Sequence, residues 1–253
     1  MKAVAFDLWE TLITDPPDVA RRQERRRLEE TARILEQAGH PQPPERIESA
    51  YRHTWTRCHE LYWSNDRDVP SRVQIEHMLE HLLADDDPLE QRIVEDIERA
   101  YVRAAAEDLP ELVDGARDVI EGLRARWPLG LVSNTGRTPG WVLREVLGHL
   151  GFGDAFRAMV FSNEHGECKP LRSIFEALRG RLGCEPSAIV FVGDNLFADV
   201  WGAQQAGMRA VHFDNPARGE AVGTPTREVG PVRPDATIRS LGDLPRLLEE
   251  WSR

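Results

Sequence analysis

The sequence has no run of about 18 or more uncharged apolar residues, which excludes an ordinary membrane-spanning helix. Cysteine is scarce: Cys58, Cys168 and Cys184 are far apart, odd in number and contain no Cys-x-x-Cys pair. Neither a disulfide framework nor a structural zinc site is therefore expected, and a reduced, cytoplasmic setting is. Basic charge is short as well, with Lys+Arg 32 against Asp+Glu 43 and a formal net charge of -11. That balance excludes a broad cationic face for nucleic acid. A small anionic substrate stays open, because a bound divalent cation reverses the sign of a local pocket. A signal peptide is not expected either, since Met1-Lys2-Ala3-Val4-Ala5-Phe6 runs at once into Asp7 and reads as a first core strand.

What remains is two kinds of chain, interleaved. Short apolar segments ending in Asp, Ser, Asn or Gly read as buried parallel strands at Lys2–Phe6, Leu129–Val132, Ala158–Phe161, Ala188–Val192 and Arg209–His212, with a weaker sixth near Ala236–Ile238. Between them, apolar residues at 3–4 spacing predict helices over Gly115–Arg126, Trp141–Leu150, Ser173–Leu182, Ala198–Ala206 and Leu244–Trp251. This alternation predicts an α/β fold, a Rossmann-like parallel sheet covered on both faces, with ligands beyond the carboxyl ends of the strands. The stretch from Asp18 to Asp108 is different: charged and poor in β-branched runs. It predicts helices at Arg21–Ala38, Glu45–Trp63, Ser71–Leu83 (with Ser71 as N-cap) and Pro88–Ala105. The expected division is thus 1–16 with 109–253 as a discontinuous core, and 17–108 as an inserted all-helical domain. The Gly/Pro-rich stretch Asn215–Pro234 reads as a surface loop.

Four polar clusters fall at strand ends: Asp7-Leu8-Trp9-Glu10-Thr11-Leu12, Ser133-Asn134-Thr135-Gly136, Lys169-Pro170, and Gly193-Asp194 with Asp199. Each alone is an ordinary helix cap or turn. Their order and their placement at successive strand ends give them weight together.

In these clusters the chain resembles the haloacid dehalogenase-like superfamily, over the whole core. Asp7 with Thr11-Leu12 is similar to its first motif, Ser133-Asn134 to its second, Lys169-Pro170 to its third, and Gly193-Asp194 with Asp199 to its fourth. The helical insertion after the first strand resembles the first type of cap domain in that family. The tail Pro234–Leu241 is similar to its last strand and helix. The resemblance implies that Asp7 is a nucleophile working with Ser133 and Lys169. It implies that Thr11, Ser133, Asn134 and Lys169 meet the substrate. It also implies that Asp7, the backbone carbonyl of Trp9, Asp194 and Asp199 hold Mg²⁺. A carboxylate nucleophile splits hydrolysis into two steps through a covalent intermediate, and a cation offsets the repulsion between two anions. The expected activity is a Mg²⁺-dependent phosphohydrolase acting on a small phosphorylated metabolite through an aspartyl-phosphate at Asp7. A monomer and a homodimer are both compatible with the sequence.

One position departs from the family. Its phosphatases keep a second Asp two residues after the nucleophile as general acid; here that residue is Trp9. An indole donates a hydrogen bond but does not titrate usefully, and the adjacent Glu10 is directed elsewhere along the chain. Three readings follow: a substrate whose leaving group needs no proton, a proton supplied by His53 or His59 of the insert, or a reaction other than phosphate hydrolysis. The haloacid dehalogenases also lack that Asp and hold an aromatic residue there. A carbon–halogen hydrolase is therefore one alternative, and a weakly catalytic or phospho-ligand-binding protein is another. Within the insert, Tyr51, Trp55, His59 and Tyr62 recur at helical spacing, as core packing or as a wall over the site. Arg21, Arg22, Arg25, Arg52 and Arg57 read mainly as solubilising charge. Cys168, beside Lys169, reads as a small neutral spacer.

Overall fold

The computed structural model describes residues 1–83, 89–216 and 231–252. Six parallel strands form one sheet: β1 (Ala3–Phe6), β4 (Leu129–Ser133), β5 (Ala158–Phe161), β6 (Ile189–Gly193), β7 (Arg209–Phe213) and β8 (Ala236–Ile238), in the order β5-β4-β1-β6-β7-β8. A separate two-stranded antiparallel ribbon joins β2 (Ile13–Thr14) to β3 (Glu111–Leu112). Strands β1, β4 and β6 are buried along their whole length, the consequence of helices on both faces and the reason they read as unbroken apolar runs.

Side-chain alternation sorts the core into two layers. Val4, Phe6, Leu129, Leu131, Val190 and Val192 point to one face. There they meet α5 (Ala116–Arg124), α6 (Gly140–His149) and α10 (Leu244–Ser252) through Ile120, Leu147 and Leu248. Ala3, Ala5, Ile189 and Phe191 point to the other. That face is covered by α8 (Arg172–Leu182) and the short α9 (Gly202–Gln205), through Phe175, Leu178 and Ala203.

Among the described residues, four α-helices lie between β2 and β3: α1 (Pro17–Gln37), α2 (Pro44–Leu61), α3 (Ser71–Leu82) and α4 (Gln91–Glu107). They share an apolar cluster that includes Leu35, Ile47, Ile75, Met78, Ile97 and Tyr101. Helix α6 belongs to both bodies. Its Leu143 and Leu147 face the sheet, while Val142 and Val146 enter the cluster of the insert. No helix among the described residues is long and apolar enough to cross a membrane.

Several expected boundaries move, each for a local reason. Helix α1 starts at Pro17 rather than Arg21, because a proline at N1 is preset for the first turn. Ser71 is the first helical residue instead of the N-cap, which is Pro70; its hydroxyl donates to Glu98 at 2.5 Å. The segment expected as one helix over Ala198–Ala206 begins instead as a π-helical turn, Leu196–Trp201, and becomes α-helical at Gly202. Pro88 and most of the loop expected at Asn215–Pro234 lie outside the described residues. The short helix α7 (Ser162–His165) after β5 and the β2–β3 ribbon have no periodic signal in the sequence.

Candidate active site

The four motif clusters meet at the carboxyl edge of β4, β1 and β6, where the strand order reverses about β1. Asp7 follows β1 directly, and its backbone N–H donates to Val192 O of β6 at 2.9 Å. The Lys169 ammonium donates to Asp7 Oδ1 and, at 2.6 Å, to Asp199 Oδ1. Thr11 Oγ1 lies 3.4 Å from Asp7 Oδ2 and 3.4 Å from Asp194 Oδ1. All five side chains are buried.

The charges shape one another. Burial pushes the Asp7 carboxyl up to about 6; Lys169 pulls it back and Asp199 pushes it further up. Burial alone would lower the Lys169 ammonium, but Asp199 and Asp7 outweigh it and hold it above its ordinary value. Lys169 is therefore a fixed cation at neutral pH.

Local chain geometry delivers each group. The loop after Asp7 is tight: Leu12 and Ile13 both donate to Leu8 O, at 2.8 and 3.0 Å, and Glu10 takes a left-handed φ of 60°. The Glu10 carboxylate is held by the Thr14 hydroxyl at 2.9 Å, away from Asp7. Asp199 is presented by the π-helical turn, a form common at functional sites. Asn195 caps that turn by accepting from Phe197 N and Ala198 N, each at 2.9 Å, and Asp199 Oδ2 accepts from Asn195 N at 2.9 Å. Gly193 is required beneath it, since a Cβ there would collide with the Asp199 carboxylate. The Lys169-Pro170 peptide is cis.

Asp7, Asp194 and Asp199 each offer a carboxylate oxygen within 4.8 Å of the others. Carboxylates this close are unfavourable unless a cation shares them, and an all-oxygen donor set suits a hard divalent ion. The residues present fit Mg²⁺.

Not every expected site residue faces an open pocket. Ser133 is fully buried, with its hydroxyl on Asn134 O at 3.3 Å. The Asn134 amide forms a reciprocal pair with the Lys169 backbone: Nδ2 donates to Lys169 O at 3.1 Å, and Oδ1 accepts from Lys169 N at 2.8 Å. Thr11 lies between two carboxylates. The Trp9 indole is half-buried against the sheet's apolar cluster. His53 stacks on His81 of α3, with centroids 4.1 Å apart. His59 lies one turn beyond Trp55.

The aromatic stripe of α2 serves neither as plain core nor as a bare wall. Arg137, four residues past Ser133, stacks over Tyr51 at 4.1 Å and Trp55 at 4.5 Å, and its Nε donates to the Tyr101 hydroxyl at 2.9 Å. Tyr62 pairs with His77 at 3.1 Å. Among the expected solubilising arginines, Arg52 pairs with Glu48, Arg25 with Glu29, and Arg22 with Asp18 and Asp108. Cys168 is buried, and burial first, then Asp68, raises its thiol well above the ordinary range, so it stays neutral.

Residues 1–207 match the haloacid dehalogenase-like hydrolase family. The chain belongs to that family. It is 30% identical over 150 residues to a ribulose-1,5-bisphosphate 5-phosphatase of Halopiger xanaduensis, covering 59% of this chain and 61% of that protein. It is 40% identical over 83 residues to a glyceraldehyde 3-phosphate phosphatase of Methanothermobacter thermautotrophicus, covering 33% of this chain and 35% of that protein. The chain thus spans less than two thirds of the length of these relatives. Among solved structures it is similar to a 2-haloacid dehalogenase from Pseudomonas syringae, with a TM-score of 0.69, 24% identity and 99% of each chain covered. That likeness is one of fold.

Proposed function

We propose that this hydrolase is a Mg²⁺-dependent phosphohydrolase acting on a small phosphorylated metabolite. The observation that carries the reading is the convergence of the Asp7, Asp194 and Asp199 carboxylates, two of which, Asp7 and Asp199, also pair with Lys169. Support also comes from the relatives, whose names describe phosphatases of small sugar phosphates. In this reading residues 1–16 and 109–253 form the catalytic core and 17–108 the cap.

Asp7 attacks phosphorus through a carboxylate oxygen, the ester oxygen departs, and an aspartyl-phosphate forms; water then cleaves the new P–O bond and frees phosphate. Lys169 holds the nucleophile in its ionised form and neutralises charge on the transferring group. Thr11 keeps the Asp7 and Asp194 carboxylates in register. Asn134, through the Lys169 backbone, fixes where the ammonium stands. Asp7, the Trp9 carbonyl, Asp194 and Asp199 would hold Mg²⁺, which when bound supplies the countercharge that lets two anions approach.

Trp9 leaves the site without the usual proton donor, and Glu10 is tied to Thr14. The favoured substrates are those whose leaving group is already a stable anion, such as acyl phosphates and phosphoanhydrides. A dehalogenase reading draws on the same Trp9, because a halide leaves without a proton. The acidic trio opposes it: three carboxylates against the single Lys169 ammonium leave the site anionic without a divalent ion, and an anionic site repels a haloacid carboxylate.

The test is kcat/KM across a leaving-group series for wild type and Trp9→Asp, with Mg²⁺ and with EDTA. Wild type should be far more sensitive to the leaving group, and Trp9→Asp should raise alkyl phosphatase activity by at most roughly 10²–10⁴. Equal sensitivity in the two proteins defeats the account of Trp9. Turnover untouched by EDTA, or of haloacids alone, defeats the phosphohydrolase.

A further inference from the structure

The loops that carry Ser133-Asn134 and Lys169 are both gripped by the helical insert, and the two grips converge on one buried carboxylate. Asp68 lies in the insert between α2 and α3. Its Oδ1 faces the insert, accepting from Trp63 Nε1 at 2.9 Å and from Val69 N at 2.8 Å. Its Oδ2 faces the core, accepting from the Thr135 hydroxyl at 3.1 Å and from the Ser162 hydroxyl at 2.5 Å. Four donors meet the roughly four lone-pair sites of a carboxylate. Ser162 also accepts from Thr135 N at 2.9 Å, so the exits of β4 and β5 are tied together under the same group.

The neighbours of Asp68 extend the grip to Lys169. Arg67 and Glu167 form an antiparallel bridge, Asp68 N donates to Gly166 O at 3.1 Å, and Cys168 N donates to Asp66 O at 2.7 Å. Lys169 is the next residue along. The β4 exit is held again just beyond Thr135. Gln74 of α3 donates to Gly136 O at 2.8 Å, and Arg137 lies between Tyr51 and Trp55. The Asn134 amide then joins the β4 exit to the Lys169 backbone.

We infer that Asp68 is a positioning residue: its carboxylate registers the helical insert on the loops bearing Ser133 and Lys169, and so sets where the Lys169 ammonium stands against Asp7. A displacement of about 1 Å in such a group costs on the order of 10²-fold in rate. The activity readout rests on the phosphohydrolase reading; the exchange readout does not.

The experiment compares wild type, Asp68→Ala, Asp68→Asn and the near-isosteric Thr135→Val by kcat, Mg²⁺ affinity and amide hydrogen exchange, well below the melting temperature. Asp68→Ala should lower kcat by about tenfold to 10²-fold, with Mg²⁺ affinity close to wild type, because the acidic trio lies on β1 and β6. Exchange should quicken in residues 134–137 and 166–169 but not in 7–13 or 194–199. Asp68→Asn should recover most of kcat, since its amide offers an acceptor to the insert and a donor to hydroxyls that can turn around. Thr135→Val should show the same pattern more weakly, and it decides the question if Asp68→Ala does not fold. Exchange that rises evenly over all four segments, or stays at the wild-type level in 134–137 and 166–169, overturns the inference. Should wild type hydrolyse no phosphate at all, the phosphohydrolase reading falls and the exchange pattern alone decides the role of Asp68.

Discussion

The two halves of the site are built differently. On β1 and β6, Asp7, Thr11, Asp194 and Asp199 are held by core backbone, a π-helical turn and one another. On β4 and β5, Ser133, Asn134 and Lys169 stand on loops stapled to the helical insert through Asp68, Gln74 and Arg137. In the proposed function the first half supplies the attacking carboxylate and the oxygens that would hold Mg²⁺. The second holds the cation, Lys169, and the Asn134 amide that pairs with its backbone. Changes in the insert should therefore reach chemistry through Lys169 before they reach the acidic trio.

The largest effects should fall in the first half. Asp7→Asn should abolish turnover while the fold persists, and surviving activity in a clean preparation would sink the nucleophile assignment. Asp194→Ala should lower the rate strongly and weaken Mg²⁺. Saturating Mg²⁺ should then stabilise wild type, by about 2.7 kcal/mol at a hundred times its Kd, but not the variant. Equal thermal shifts in the two proteins would remove Asp194 from the metal site.

An intermediate effect probes the joint between the halves. Asn134→Ala frees the Lys169 backbone and should reduce kcat by about tenfold to 10²-fold, with Mg²⁺ affinity retained. A change confined to KM would place Asn134 on the substrate instead.

The smallest effect lies outside both halves and concerns stability alone. Burial pushes Asp15 up from 3.8 to about 6, opposed by Arg27 and by the Gln23 amide. Between those values the folded protein keeps a proton that the unfolded chain releases. Stability therefore falls as pH rises through that window and is flat above it. Asp15→Asn keeps an acceptor for Gln23 and loses the charge. It should be more stable than wild type by about 1–2 kcal/mol above pH ~6 and equal to it near pH ~4. A stability difference that does not change with pH would show that Asp15 titrates normally.

Much of the first half was legible because parallel strands buried on both faces read as apolar runs that stop at polar residues. Ala3–Phe6 and Ile189–Gly193 end beside Asp7 and Asp194 for that reason, and even the short β8 was found at Ala236–Ile238. The π-helical turn was not legible, since Phe197, Ala198 and Val200 carry the same apolar spacing an α-helix would. The β2–β3 ribbon is two residues long on each side and has no periodicity to detect. Asp68 left no signal at all. It is one acidic residue in a polar stretch between two helices, and its importance comes from Thr135 and Ser162, which only the fold brings to it. The family resemblance implies a substrate contact for Asn134, and no sequence signal points to the pairing of its amide with the Lys169 backbone.

The two-residue ribbon Ile13–Thr14 with Glu111–Leu112 bears on how such a chain can vary. Departure and return of the insert are side by side, so to the core the whole of residues 15–110 is a single loop with fixed ends. The entropy of closing a loop grows only with the logarithm of its length, about 0.6 kcal/mol per doubling. Lengthening, trimming or exchanging the segment behind that ribbon is thus cheap in chain entropy, and the sheet and acidic trio need not change with it. A replacement must still meet what this insert meets: apolar cover for Val142 and Val146 of α6, and an acceptor for Thr135 and Ser162.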